Sequence, residues 1–223
     1  MSYTGKLYFM VMMFALQAFD LNSQSLADVF KLLPLECTPE LSYKQRDTLL
    51  MDGAYTLPVK DSLEIVEYTI DTESDSNYIR YDYNFTTGQT AFIVFELRKF
   101  KTGDGKVFIV FSRYGGLPTA FEQNALKIYY PESDTLREFK HQKLLPEAVD
   151  VEDFLKPGTP NSIKTKLHDM VSCSYDLSPA EDEVYIRLVN QTETGEDEKW
   201  IASYIYAFTW NGKVFKKRAV KDE

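Results

Sequence analysis

The segment Ser112-Arg-Tyr-Gly-Gly-Leu-Pro118 follows a strongly apolar run and combines a cation, a ring and two glycines. Glycines without a Cβ let backbone amides approach a ligand closely. Arg113, Tyr114, Gly115 and Gly116 are therefore candidate ligand-contact residues, against the plainer reading of a wide turn leaving a sheet. Trp210 is the fifth candidate. It sits beside Asn211-Gly212, the strongest short hairpin signal in the chain. A two-residue loop there would pair Trp210 with Lys213, Phe208 with Phe215 and Tyr206 with Lys217. Tyr204, Tyr206, Phe208, Trp210 and Phe215 would then share one face. Such a face is either an aromatic platform for a sugar or peptide, with Lys213 and Lys217 at its margin, or a buried core face. The core reading is preferred, because aromatic sheet faces are usually buried.

Other chemistry finds little footing. Asp71-x-Glu73-x-Asp75-x-Asn77 alternates oxygen ligands as a calcium loop does, but Ser76 replaces the turn glycine and Asp82 stands where glutamate is needed. A solvated loop is the better expectation. Thr192-Glu-Thr-Gly-Glu-Asp-Glu198 likewise reads as a mobile acidic loop. The chain has two histidines, His141 and His168, and no G-x-S-x-G elbow. Zinc would need clustered His and Cys, and these do not cluster. No cofactor or metal is expected and no catalytic residue is assigned. Cys37 and Cys173 are the two cysteines. An oxidising compartment would allow a disulfide between them, against the plainer reading of two unrelated buried thiols.

These residues need elements to hold them. Ser25 caps a helix striped by Leu26, Val29, Phe30 and Leu33 and stopped by Pro34. A second helix is expected from Thr38-Pro39 to Met51, ended by Asp52-Gly53. From residue 63 the apolar period becomes two. Tyr78–Phe85, Phe92–Phe95 and Val107–Phe111 read as strands, the last two apolar on both faces and hence central. Residues 101–106 form a hairpin connection, and 126–130 with 135–139 make another hairpin. The proline-bearing stretch 141–160 is a crossing connection with one helical turn near Val151–Leu155. A short helix around Ile163–Val171 follows, then strands at 172–175, 184–189, 201–210 and 213–217.

Lys6, the unbroken apolar run Leu7–Leu16 and the polar exit Asn22–Ser25 have the three parts of a signal peptide over residues 1–25. The run is too short to span a membrane, which needs roughly twenty apolar residues. The net charge of −9 opposes binding to phosphate backbones, so nucleic acid is set aside. Residues 26–223 suffice for a single α+β domain, with two β lobes joined near 141–160 as a variant of that organisation. The fold expected is N-terminal helices packed on an antiparallel, meander-rich β region, with a two-sheet β-sandwich as the alternative.

The order of parts also carries a resemblance. The apolar leader precedes Ala27-Asp-Val-Phe-Lys-Leu-Leu-Pro34. Val107-Phe-Ile-Val-Phe111, Gly115-Gly-Leu-Pro118, Leu177-Ser-Pro179 and Trp210-Asn-Gly212 with Phe215 come after it. Across most of the mature chain this resembles a domain-of-unknown-function family of small secreted Bacteroidetes proteins. The resemblance implies the periplasm or cell surface of a Gram-negative bacterium, and no established activity or functional residue. Two functions of different class follow as expectations. One is a non-enzymatic binding protein for a glycan, peptide or protein partner. The other is a hydrolase acting on extracellular polymers, recognisable by a deep pocket of converging His, Asp or Ser side chains.

Overall fold

The computed structural model describes residues 25–58, 65–75, 77–85, 91–117, 120–132, 134–139, 151–177, 182–190 and 195–220. The leader over 1–25 falls outside them except for Ser25, as do His141 and the first half of the 141–160 connection. The described residues are mostly antiparallel β, in two sheets, with three α-helices.

The first helix, α1 (Leu26–Leu32), forms as expected: Ser25 Oγ accepts the Asp28 N–H at 3.1 Å, and Leu26, Val29 and Phe30 are buried. A 3₁₀ turn, Leu35–Cys37, precedes the stretch expected to open the second helix, and residues 38–42 are not helical. That helix, α2 (Tyr43–Asp52), starts later because Ser42 and Gln45 form a reciprocal capping box that Thr38-Pro39 does not provide. Gly53 ends it at φ 73°, in the left-handed region. Arg46 of α2 is wholly buried, and its guanidinium donates to the carbonyls of Phe30, Lys31, Leu33 and Pro34. It thereby satisfies the open C-terminal end of α1 and favours its dipole.

Seven strands follow in an unbroken meander: β1 (Ala54–Pro58), β2 (Ile65–Asp75), β3 (Tyr78–Phe85), β4 (Phe92–Lys101), β5 (Val107–Leu117), β6 (Ala120–Glu132) and β7 (Thr135–Glu138). Strand β1 was not foreseen. Nor was the extension of β2 through Asp75, where a loop with calcium-like spacing was expected; the segment pairs with β3 across a register shift instead. A 3₁₀ turn, Val151–Phe154, and helix α3 (Asn161–Met170) lead to the second sheet. Its strands are β8 (Val171–Leu177), β9 (Glu183–Asn190), β10 (Ile205–Trp210) and β11 (Phe215–Ala219), in the order β11-β10-β9-β8. Strand β10 starts later than the expected Ile201. Residues 195–198 of the expected acidic loop belong to a 3₁₀ turn, Gly195–Trp200, while 192–194 lie outside the described residues.

The large sheet is the middle layer. On β5, Phe108 and Val110 enter a core shared with the four-stranded sheet, whereas Ile109 and Phe111 enter a second core beneath α1 and α2. This is why the run at 107–111 is apolar on both faces. Strand β8 lies across β4, β5 and β6.

The terminal hairpin corrects the expected register. Trp210 pairs with Phe215, Phe208 with Lys217 and Tyr206 with Ala219, so the loop is 211–214 rather than two residues. Asn211 Oδ1 accepts the N–H groups of Lys213 and Val214, both at 3.0 Å, and Gly212 takes φ 89°. Because the slip is by two, the aromatic residues keep their common face.

No disulfide joins Cys37 to Cys173. Cys37 lies in the core under the helices, with Sγ 3.0 Å from Tyr129 Oη, whereas Cys173 packs against the core between the sheets.

Candidate functional site

The stretch expected to be a loop is strand. Residues 112–117 continue β5 and are paired on both sides, Gly115 with Ile93 and Glu122, and Gly116 with Phe92 and Phe121. A ladder on each side satisfies the backbone groups that a turn would have exposed. Gly115 is required by sterics within the sheet: a Cβ there would stand 2.4 Å from the Phe92 carbonyl oxygen and 2.9 Å from Ile93 Cα. At Gly116, on the opposite face, Phe92 and Phe121 flank the glycine and meet edge-to-face at 5.3 Å.

The missing side chain at 115 shapes the surface. Side chains alternate along each strand, so Tyr83, Ile93 and Gly115 share one cross-strand row on the helix-side face. The helices cover the next row, where Phe30 packs edge-to-face on Tyr81 at 5.4 Å. Tyr83, Phe85 and Ile93 are left half-buried. Between them and β6 lies an open groove of about 440 Å³ lined by Tyr83, Phe85, Phe92, Ile93, Arg113 and Asn124, with the backbone of Gly115 and Gly116.

Asn124 reaches the groove through a bulge. Arg113 pairs with Ala125 and Tyr114 with Gln123, which leaves Asn124 as an extra, exposed residue on β6. Bulges re-aim side chains in this way. Gln123 mends the interrupted ladder: its amide nitrogen donates to Ser112 Oγ at 2.9 Å and to Arg113 O at 3.1 Å, and its Oε1 accepts the Tyr175 N–H of β8 at 2.8 Å.

Arg113 is held from two sides. Its Nη2 donates to Glu40 at 2.6 Å, and its guanidinium lies 5.0 Å above the Phe95 ring. Its Nε and Glu40 Oε2 are buried with no hydrogen-bond partner. The neighbouring tyrosine hydroxyls of Tyr68 and Tyr81 are held protonated, their acidity suppressed first by burial and then by the Glu40 charge.

Of the candidate residues, Arg113, Gly115 and Gly116 meet at this groove. Tyr114 does not: it faces the other sheet and is buried. Trp210 does not either. It is buried in the core between the sheets, touches Phe108 at 5.0 Å and donates from Nε1 to Lys101 O at 2.7 Å. Of the two lysines expected at the margin of the aromatic face, Lys217 places its Nζ 4.0 Å from the Tyr206 ring centre. Sequence reasoning missed Tyr83, Phe85, Phe92, Ile93 and Asn124. The alternation Tyr81-x-Tyr83-x-Phe85 did signal an aromatic face; nothing in the sequence marked the bulge.

A second polar site is sealed. Glu96 on β4 is 2% exposed, and burial raises its pKa to about 7. A value near 7 suits general acid–base chemistry, but Glu96 lines neither this groove nor a second one of about 410 Å³ near His168. Among the described residues no group of His, Cys, Asp or Glu is arranged to hold a metal, and no helix is long and apolar enough to cross a membrane.

No protein-family model matches the chain, and no curated protein matches it. Among solved structures it is similar to a domain of an uncharacterized protein from Porphyromonas gingivalis W83. The two share 18% sequence identity at a TM-score of 0.60, over 86% of this chain and 97% of that one. At that identity the likeness is one of fold, and it lies with an uncharacterised domain from a Bacteroidetes bacterium.

Proposed function

We propose that this is an exported, non-enzymatic binding protein that holds a glycan, peptide or protein partner in the groove over Gly115. One observation carries the reading. A position without a side chain opens a shallow surface floored by Tyr83, Phe85 and Ile93 and edged by a clamped Arg113 and the bulged Asn124. Apolar walls with a few placed polar groups are the usual make-up of a ligand site. The hydrolase alternative gains no such support: the groove is lined by no histidine, serine or carboxylate among the described residues. Export rests on residues 1–25, with periplasm or cell surface as the compartment.

The test uses protein recovered from the periplasm of a Gram-negative host, whose amino terminus is expected between Ala18 and Leu26. Soluble hexasaccharides of glucose, mannose and N-acetylglucosamine, and a pool of decapeptides, are titrated into the ¹⁵N-labelled chain. The expected result is shifts at the amides of Gly115, Gly116 and Asn124, with binding roughly tenfold weaker in Tyr83→Ala, the loss of about 1.4 kcal/mol of contact. Shifts confined to other surfaces, or an uncleaved leader, would overturn the reading.

A further inference from the structure

Glu96 occupies the seam where the two sheets meet. Its Oε2 accepts the Leu177 N–H of β8 at 2.8 Å and its Oε1 accepts the Tyr78 hydroxyl of β3 at 2.7 Å, so one carboxyl group joins the small sheet to the large one. Charges face it from every strand around it. On β3, Arg80 approaches at 3.6 Å but is engaged by Asp82 at 2.9 Å. On β4, Arg98 is buried and lies 3.6 Å from Asp182, just before β9. On β5, Tyr114 is buried nearby. On β8, Asp176 repels Glu96 and is paired with Arg187 of β9.

The acids at this seam are Glu96, Asp82, Asp176 and Asp182, and the bases are Arg80, Arg98 and Arg187. Arg98 and Arg187 each have an aspartate, and Arg80 is divided between Asp82 at 2.9 Å and Glu96 at 3.6 Å, so the buried glutamate is the least compensated acid. An under-compensated buried charge is unfavourable, and a carboxyl group relieves it by taking up a proton.

We propose that Glu96 is a protonation-controlled latch between the two sheets, closed when its carboxyl is neutral and loosened when it ionises. The neutral acid keeps both contacts, since its carbonyl oxygen still accepts from Leu177 and its O–H can donate to Tyr78 Oη. Ionisation leaves a carboxylate whose nearest cation is shared with Asp82, and opening the seam gives it water.

The sign follows from linkage. The folded value, about 7, lies above the ordinary 4.5. Glu96 therefore contributes stability that is full below about 4.5 and is lost as pH rises to about 7. The test compares the wild-type chain with Glu96→Gln, whose amide keeps an acceptor for Leu177 and a donor for Tyr78. Between pH 5 and pH 8 the wild-type folding constant should fall roughly a hundredfold relative to the variant. Hydrogen exchange at the Leu177 amide, corrected for its intrinsic rate, should quicken over the same range in the wild type alone. Carbon-13 titration of the Glu96 carboxyl in the wild-type chain gives the answer even if the variant fails to fold. A midpoint near 4.5, or equal pH slopes for the two proteins, overturns the latch.

Discussion

Gly115 shows how one residue can be read two ways. In the sequence it is half of a Gly-Gly pair, and such pairs usually mark turns. In the fold it is a strand residue whose missing Cβ admits the Phe92 carbonyl, and the groove is a by-product of that close approach. The clash at 2.4 Å is with backbone, which cannot rotate away as a side chain would. Gly115→Ala should therefore destabilise the chain by about 1–3 kcal/mol, as overpacking does, and shrink the groove as well. Denaturant unfolding measures the first effect, and a loss below a few tenths of a kcal/mol would show that β4 and β5 can part without penalty. The candidate ligand residues were only partly legible for the same reason. Arg113 and the glycines were found by type, but Tyr83, Ile93 and Asn124 are assembled by cross-strand register and by a bulge on β6. Those are pairing decisions between segments that local spacing does not encode.

Among elements, the terminal hairpin is the instructive case. Its strands, its common aromatic face and the turn at Asn211-Gly212 follow from alternation and turn chemistry. The register does not, because contacts outside the hairpin act on the loop. Gly212 O accepts the Gly103 N–H at 2.7 Å, and Trp210 Nε1 reaches Lys101 O, so the tip docks against the β4–β5 hairpin. A two-residue turn would compete with that docking. The four-residue loop, closed by the Asn211 side chain, preserves it. The slip sets Phe208 against Lys217 on one side and Val184 on the other, and Phe208 remains 4% exposed in the core between the sheets. Phe208→Ala should cost about 3–5 kcal/mol in thermal or chemical unfolding, the range for removing a buried phenylalanine. A negligible loss would mean that this face is not core. Helix starts obey the same logic at shorter range: Ser25 and Ser42 cap because each has a partner three residues on, whereas Thr38-Pro39 has the residue types without the reciprocal bond.

At the scale of the molecule, the seven-stranded sheet divides the interior in two. Phe95, Phe111 and Tyr129 look toward the helices, and Phe100, Phe108 and Val110 look toward the small sheet. That layering was partly legible, because strands apolar on both faces must be covered on both. The pairing of the cysteines was not, since two thiols behind an apolar leader look like partners until layers are assigned. Cys37 belongs to the helix-side core and Cys173 packs on the core between the sheets. Packed layers lie roughly 10 Å apart, beyond the Cα separation of about 7 Å that a disulfide tolerates. Cys37 is also the less reactive thiol: burial raises its pKa above the ordinary value, outweighing the Tyr129 hydrogen bond. Denatured without reductant, the chain should therefore titrate two thiols with a colorimetric disulfide reagent, and its unfolding temperature should be the same with and without reductant. In the native state Cys173, which is partly exposed, should react ahead of Cys37. Recovery of no thiols from the denatured, unreduced chain would mean that the two cysteines meet, and so that the sheet does not separate them.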